Sequence, residues 1–486
     1  MTLAGVAVAS SAGAADFTWN SSSSTNWETA AAWTFAGGDD GLDGYPSGTD
    51  VVIGLTDPTT AGTAFLNGIY AIGGLTHNTN TPWTLRATGD STMTINGNVT
   101  MAGVGTANEL IFDGNGFDFD LNITGTIAGA SQAQNNTRFQ FGTDVNPLGD
   151  LTIGGVLNPR GRTLINAVGT VTIGSFGVFA NVTDVFLANT DANNVTRTVS
   201  TGGLNLDRGD IYAGGGTGTG TNIQVNLVLT GAGDFTMENA LSRLADNPGG
   251  DPTASRLHLT KQGSGKQTLG GTYAYTGDTT VNNGILLMNG DGSALTGMTI
   301  VNGGTYGGTG TNGGSVRVNS GGTLSPGESI ESLLGGALEM NGGSTFAFEV
   351  DSTDLTVSGL AAAGDLYAAV GDLTLNGEVA LTIVDLAGTA QAFAEGTVLS
   401  VVSYSGSWNG SNFTYAGNEL LDGEIFVAGL NSWQIDYDAL TGGANFTGDH
   451  LGGAFVNLTA IPEPSALVLL LLGLVWPMVG RWRKRR

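Results

Sequence analysis

The sequence predicts an all-β protein, a β-solenoid in which short strands stack coil upon coil. Three observations carry that expectation. First, the 486 residues include 81 Gly and 0 Cys, and only 12% are charged. Glycine opposes helix, whereas the abundant Val and Thr suit strands. Second, short alternating runs such as MTIN (93–96), LTIGG (151–155), VTIGS (171–175) and LNLDRGDIYAGGG (204–216) end in Gly, Asn, Asp or Ser turns, the pattern of strands of three to six residues. No convincing helical period precedes residue 461. Third, the middle repeats. An apolar residue, an asparagine and then a glycine recur around Asn282, Asn302, Asn319 and Asn341, at steps of 20 (302 − 282), 17 (319 − 302) and 22 (341 − 319) residues. Ile153 and Ile173 share the same 20-residue step.

A coil of about 20 residues cannot bury its own apolar face, but stacked coils pair strands in parallel and enclose a continuous apolar stripe. Gly and Asn tolerate the left-handed backbone that corners need, and stacked Asn side chains can bond in ladders. About 20 coils at ~4.8 Å each would give a rod on the order of 100 Å. The competing arrangement is a set of antiparallel hairpins in sandwich domains.

In chain order, residues 1–15 read as a secretory signal. Residues 3–9 are apolar, and Ala12 and Ala14 place a small-x-small cleavage pattern before Ala15. The usual basic start is missing, which fits a start codon set too late. Residues 16–89, with Trp19, Trp27 and Trp33, read as an N-terminal cap and first coils. Residues 90–345 form the solenoid. In residues 346–460 alternation sharpens, with Phe346, Phe348 and Val350 and then Trp433, Ile435 and Tyr437. These residues suit last coils and a cap over the open end. Residues 461–486 close the chain with an apolar run and a basic cluster.

Charge narrows the class. Formal net charge is −26. Residues 1–464 hold 11 basic against 42 acidic residues, a formal charge of −31. Such a surface repels nucleic acid and anionic headgroups and suits an exported protein. The absence of Cys excludes disulfides, thiolate metal sites and a cysteine nucleophile.

Two stretches resemble known families. In residues 259–290, Leu259, Lys261, Gly263, Gly265, Leu269, Gly271, Tyr275, Thr276, Gly277, Thr279, Val281, Gly284 and Leu286 fall on the pattern of the autotransporter-associated β-strand repeat. That resemblance implies a right-handed parallel β-helix passenger, yet no translocator barrel of roughly 250 alternating residues is found. The closing PEPSALVLLLLGLVWPMVGRWRKRR resembles a PEP-CTERM sorting signal, with Pro462-Glu463-Pro464, an apolar stretch from Ala466 to about Gly480, and Arg481, Arg483, Lys484, Arg485 and Arg486. It implies recognition by an exosortase in a Gram-negative-type bacterium that makes exopolysaccharide. The residues agree. Fifteen of them give a helix of ~22 Å, short for a ~30 Å hydrocarbon core. The cationic cluster holds the cytoplasmic side. Paired prolines keep the motif extended. The segment serves as a transient transmembrane helix or as a permanent single-pass anchor.

Chemistry is thinly marked. His77, His258 and His450 share no motif, and no catalytic or cofactor residues are assigned. The acidic loops GDDGLDG (Asp39, Asp40, Asp43) and DGNGFDFD (113–120) read as solvated turns, or as weak calcium sites that match no established spacing. Glu349, Asp351 and Asp354 read as outward solubility charges, and Lys261 and Lys266 as surface residues of the repeat. Tyr273 and Tyr275 suit core packing or sugar stacking. The expected function is a structural or adhesive element of the bacterial surface or matrix, associated with exopolysaccharide. The alternatives are a β-helix polysaccharide lyase or hydrolase and a sugar-binding adhesin.

Overall fold

A computed structural model describes residues 15–461, apart from 22–23, 37–43, 56–61, 79–80, 103–108, 130–137, 160, 178–183, 239–240, 249–252 and 354–362. Ala12, Ala14, Asp39, Asp40, Asp43, Asp354, Pro462, Glu463, Pro464, Arg481, Arg483, Lys484, Arg485 and Arg486 lie outside the described residues. Among the described residues the protein is all-β, its strands are mostly parallel and its arrangement is solenoid-like. The described helices are single 3₁₀ turns, Ala30–Ala32 and Thr447–Asp449, and none is long and apolar enough to cross a membrane. The chain divides into two compact units, Met1–Gly297 and Met298–Arg486.

In the first unit, side chains line up in columns that run from coil to coil. One column reads Tyr70, Met93, Leu121, Leu151, Val171, Val199, Leu227, Leu259 and Thr279, each paired in parallel with the next. All nine are buried. Two residues further along each strand is a second column: Ile72, Ile95, Ile123, Ile153, Ile173, Thr201, Leu229, Lys261 and Val281. Period-2 alternation puts both columns inside. Like stacks on like because parallel register repeats the same face in every coil.

The expected 20-residue coil holds only in places. Ile153 pairs with Ile173 and Leu259 with Thr279, but Val199 to Leu227 takes 28 residues (227 − 199) and Leu227 to Leu259 takes 32 (259 − 227). Eight steps carry the first column from residue 70 to 279, (279 − 70)/8 or about 26 residues each, so the coils are fewer than the sequence suggests. Stacking fixes the strands alone. Loops between them can lengthen outward at small entropic cost.

The start of this unit departs from the parallel rule. Asp16–Trp19 pairs antiparallel with Trp33–Ala36 and parallel with Val51–Leu55. Trp33 meets Trp19 at 4.9 Å, Trp27 at 4.8 Å and Phe17 at 6.3 Å, all near edge-to-face. Ion pairs also cross between coils: Arg86 with Asp113 at 2.7 Å and Arg138 with Glu109 at 2.8 Å. Asp113, read from sequence as part of a solvated turn, is thus a buried partner of Arg86 that also accepts the Asn115 amide N–H.

The second unit has the same construction. Val301, Val318, Met340 and Leu375 form a buried column. One residue on, the asparagines form the expected ladder. Asn319 Nδ2 donates to Asn302 Oδ1 at 2.8 Å, Asn341 to Asn319 at 2.9 Å, and Asn376 to Asn341 at 3.1 Å. A second ladder stacks Tyr306, Leu324, Phe346 and Leu381. Toward its end the unit turns antiparallel. Ala454–Ile461 lies between Val398–Tyr404 and Asn431–Ala439, and Ile425–Ala428 pairs with Asn431–Ala439. Buried Asn445 ties this region together through the carbonyls of Asp365 and Ser400, both at 2.8 Å.

Candidate functional site

The repeat at 259–290 is the most specific sequence signal, and each motif residue has a structural assignment. Ser255–Lys261 alternates, with Leu257, Leu259 and Lys261 inward. Lys261 is 2% exposed, which corrects its reading as a surface residue. Its aliphatic stem fills the column between Leu229 and Val281, and its ammonium reaches the carbonyls of Gly263 and Asn283 at the coil corner. Burial pushes its pKa below the usual lysine value. Lys266 is half-buried, and its backbone N–H donates to Asp234 at 3.0 Å.

The glycines stand where coils touch. A Cβ on Gly263 would overlap the carbonyl of Gly231, and one on Gly265 the carbonyl of Gly233. Gly284 adopts φ +69°, left-handed backbone that side chains disfavour. Tyr273 and Tyr275 are fully buried, which removes them as sugar-stacking platforms. The Gly271 N–H donates to the Tyr273 hydroxyl at 2.6 Å, and the Tyr275 hydroxyl bonds Thr279 Oγ1 at 2.7 Å. Buried Asp246 accepts the N–H groups of Leu257 at 2.8 Å and Thr276 at 3.0 Å. The motif is a device for stacking coils.

The histidines are likewise built into the stack. His77 is buried, and loss of solvation pushes its pKa down to about 4. His258 bonds Gln224 at 3.1 Å and accepts the Asp278 N–H at 3.0 Å; burial lowers its pKa. His450 bonds the Asn445 carbonyl at 2.9 Å. Glu349 alternates with the inward Phe348 and Val350, as an outward position does, and is half-buried. Its N–H donates to the buried carboxylate of Asp365 at 3.0 Å, and burial is the main cause of its raised pKa, with Glu331 adding to it.

Polar clefts open on the surface of each unit. In the second, a cleft of about 350 Å³ is lined by Glu378, Ser411, Asn412, Thr414 and Glu419, a size within the range of small-ligand sites. Asn412 Nδ2 donates to Glu419 Oε1 at 2.9 Å. Beside it, the half-buried Trp408 stacks on Tyr437 at 4.9 Å, and its indole N–H donates to the Ser411 carbonyl at 2.6 Å. In the first unit a cleft of about 310 Å³ includes Glu28, Tyr45 and Tyr70. The Tyr70 hydroxyl donates to Glu28 Oε1 at 2.6 Å, and burial together with this bond pushes its pKa up to about 12. Carboxylate, amide and hydroxyl groups of this kind can hold polyhydroxylated ligands. Asp422, Asp436 and Asp438 form a separate exposed trio whose oxygens lie within 4.8 Å of one another. The cleft joins Glu378 to the hairpin of Phe413–Tyr415 and Asn418–Glu419, and the trio joins Asp422 to the strand Asn431–Ala439, so no single local motif marks either in the sequence.

Comparison with known proteins bears on the repeat. The Passenger-associated-transport-repeat family matches residues 259–288. A stretch of 70 residues is 51% identical to the Adhesin BmaC autotransporter of Brucella suis biovar 1 (strain 1330). The aligned part is 14% of this chain and spans about 2% of that relative's length. The likeness therefore concerns a small part of that relative.

Proposed function

We propose that this chain is an exported bacterial surface or matrix protein whose stacked coils act as a structural and adhesive element. The observation that carries the reading is the repeat at 259–288. It matches an autotransporter-type passenger repeat and has its motif residues committed to coil stacking, and a stretch of 70 residues of the chain is similar to part of an adhesin. On this reading the stack is a right-handed parallel β-helix. Residues 16–89 supply an N-terminal cap and first coils, residues 346–460 supply last coils and a cap, and each segment includes antiparallel pairing.

Export and delivery are assigned to the termini. Residues 1–15 are the secretory signal. Pro462, Glu463 and Pro464 form the PEP-CTERM recognition motif of an exosortase, with Arg481, Arg483, Lys484, Arg485 and Arg486 as the cytoplasmic stop. The apolar run pauses in the inner membrane before release to the cell surface, where exopolysaccharide is the partner. The cleft of Glu378, Asn412 and Glu419 beside Trp408 favours a second reading, direct sugar binding by the same adhesive protein. A lyase or hydrolase reading draws less support, because the polar groups of the repeat are engaged in bonds between coils.

Intact mass of the surface-extracted protein tests delivery. The reading predicts a product that ends near Pro464. Recovery of residues 465–486 in washed membranes would replace it with a permanent anchor, and unchanged processing of Glu463→Gln would remove the motif assignment.

A further inference from the structure

We infer that Asp50 is a receptor for the new amino terminus made by leader removal, so that processing between Ala14 and Ala15 installs a buried ion pair in the first coil. The inference rests on the secretory reading of residues 1–15 and goes beyond it by assigning a place to the product.

The geometry is already set. Ala15 and Asp50 are both 0% exposed. The backbone nitrogen of Ala15 lies 2.9 Å from Asp50 Oδ1, and Asp50 Oδ2 accepts the Ser47 N–H at 3.2 Å. The Ala15 carbonyl accepts the Val51 N–H at 2.9 Å, and the Asp50 carbonyl accepts the Gly73 N–H at 2.6 Å. Ala15 thus opens the strand pairing in which Asp16 faces Val51 and Phe17 faces Val52. Its nitrogen meets a carboxylate whose other oxygen accepts the Ser47 N–H, on a residue whose backbone carbonyl is bonded to Gly73.

The small-x-small pattern of Ala12, Gly13 and Ala14 directs cleavage to the bond before Ala15. A signal-cleaving protease hydrolyses that bond with one water. The C–N bond breaks, Ala14 leaves as a carboxylate, and the Ala15 nitrogen takes up a proton to become an ammonium. The neutral N–H donor at Asp50 becomes a cation with three donors. A buried carboxylate is far better matched by a cation than by an amide. The first coil therefore reaches full stability only after the leader has gone.

The test uses the full chain exported from a bacterial host, with Asp50 or Asp50→Asn, in cleavable form and with Ala14→Leu to block cleavage. Mass analysis is expected to find Ala15 as the first residue of the cleavable form. Asp50→Asn is expected to lower Tm by at least about 3 °C more in the cleaved protein than in the uncleaved one. Equal losses in the two forms would make Asp50 merely structural and overturn the inference. Where Asp50→Asn does not fold, an amine-selective acylating reagent applied at neutral pH to the cleaved wild type decides. Slow labelling of the Ala15 amine that becomes fast on unfolding supports the pair, and equal rates overturn it. Export with a first residue other than Ala15 sinks this inference alone, whereas retention of residues 1–14 inside the cell sinks the export reading with it.

Discussion

Gly263→Ala is expected to destabilise the first unit by about 3 kcal/mol or more, an unusually large effect for one added methyl group. Its Cβ would overlap the carbonyl of Gly231 and the backbone of Thr230 in the neighbouring coil. Backbone of this kind cannot swing aside as a flexible side chain would. Relief requires the coils to separate, which lengthens ladder bonds on both sides of the corner, among them Gly263 N–H to the Leu229 carbonyl at 2.9 Å. Lys261 would also lose its seat, since its ammonium bonds the Gly263 carbonyl. Gly388→Ala supplies the control, because nothing lies within 4 Å of a Cβ there; its effect should stay within about 0.5 kcal/mol. Denaturant unfolding of both variants, followed by circular dichroism, checks the contrast. Equal stability of the two variants would contradict close coil contact as the reason for the repeat's glycines.

Trp33→Ala is expected to cost about 3–5 kcal/mol, the range for removing a large buried aromatic. Trp33 is 5% exposed and packs against Trp19, Trp27 and Phe17. Its indole N–H donates to the Trp27 carbonyl at 2.8 Å, so truncation also strands an acceptor. The location magnifies the effect. Trp33 lies on the antiparallel strand that covers Asp16–Trp19, and loss of that cover leaves a strand edge open to other chains. Trp33→Phe should recover part of the loss, because a smaller ring keeps some edge contacts but not the hydrogen bond. Light scattering alongside the unfolding curve should show self-association in Trp33→Ala at protein concentrations where the wild type stays dispersed. A variant as stable and as dispersed as wild type would remove the cluster's role as a cover.

Much of the fold was legible because stacking repeats itself in the sequence. The step from Ile153 to Ile173 is a true register step, and Asn302, Asn319 and Asn341 do bond in line. Asn376 belongs to the same ladder but escaped notice, since 35 residues (376 − 341) separate it from Asn341. Loop insertions break the period without disturbing the column, which is also why the coil length was underestimated. Lys261 departs from its expected surface position for a different reason. Residue type suggested the surface, whereas the alternation of Leu257, Leu259 and Lys261 already pointed inward. A long stem that fills the core while its charge reaches corner carbonyls needs no exposure. The cleft of Glu378, Asn412 and Glu419 left no trace in the sequence, because Glu378 is 34 residues (412 − 378) away from the hairpin that supplies the others. Pro462, Glu463 and Pro464, proposed as a sorting motif, are legible only from sequence and lie outside the described residues.

The proposed adhesive role is tested most directly by attachment. Intact cells that make the chain, cells from which it has been removed and cells in which it has been restored are compared for adhesion to surfaces coated with their own exopolysaccharide. The account predicts a several-fold fall in attachment on removal and recovery on restoration of the full chain. Attachment that is the same in all three would contradict it.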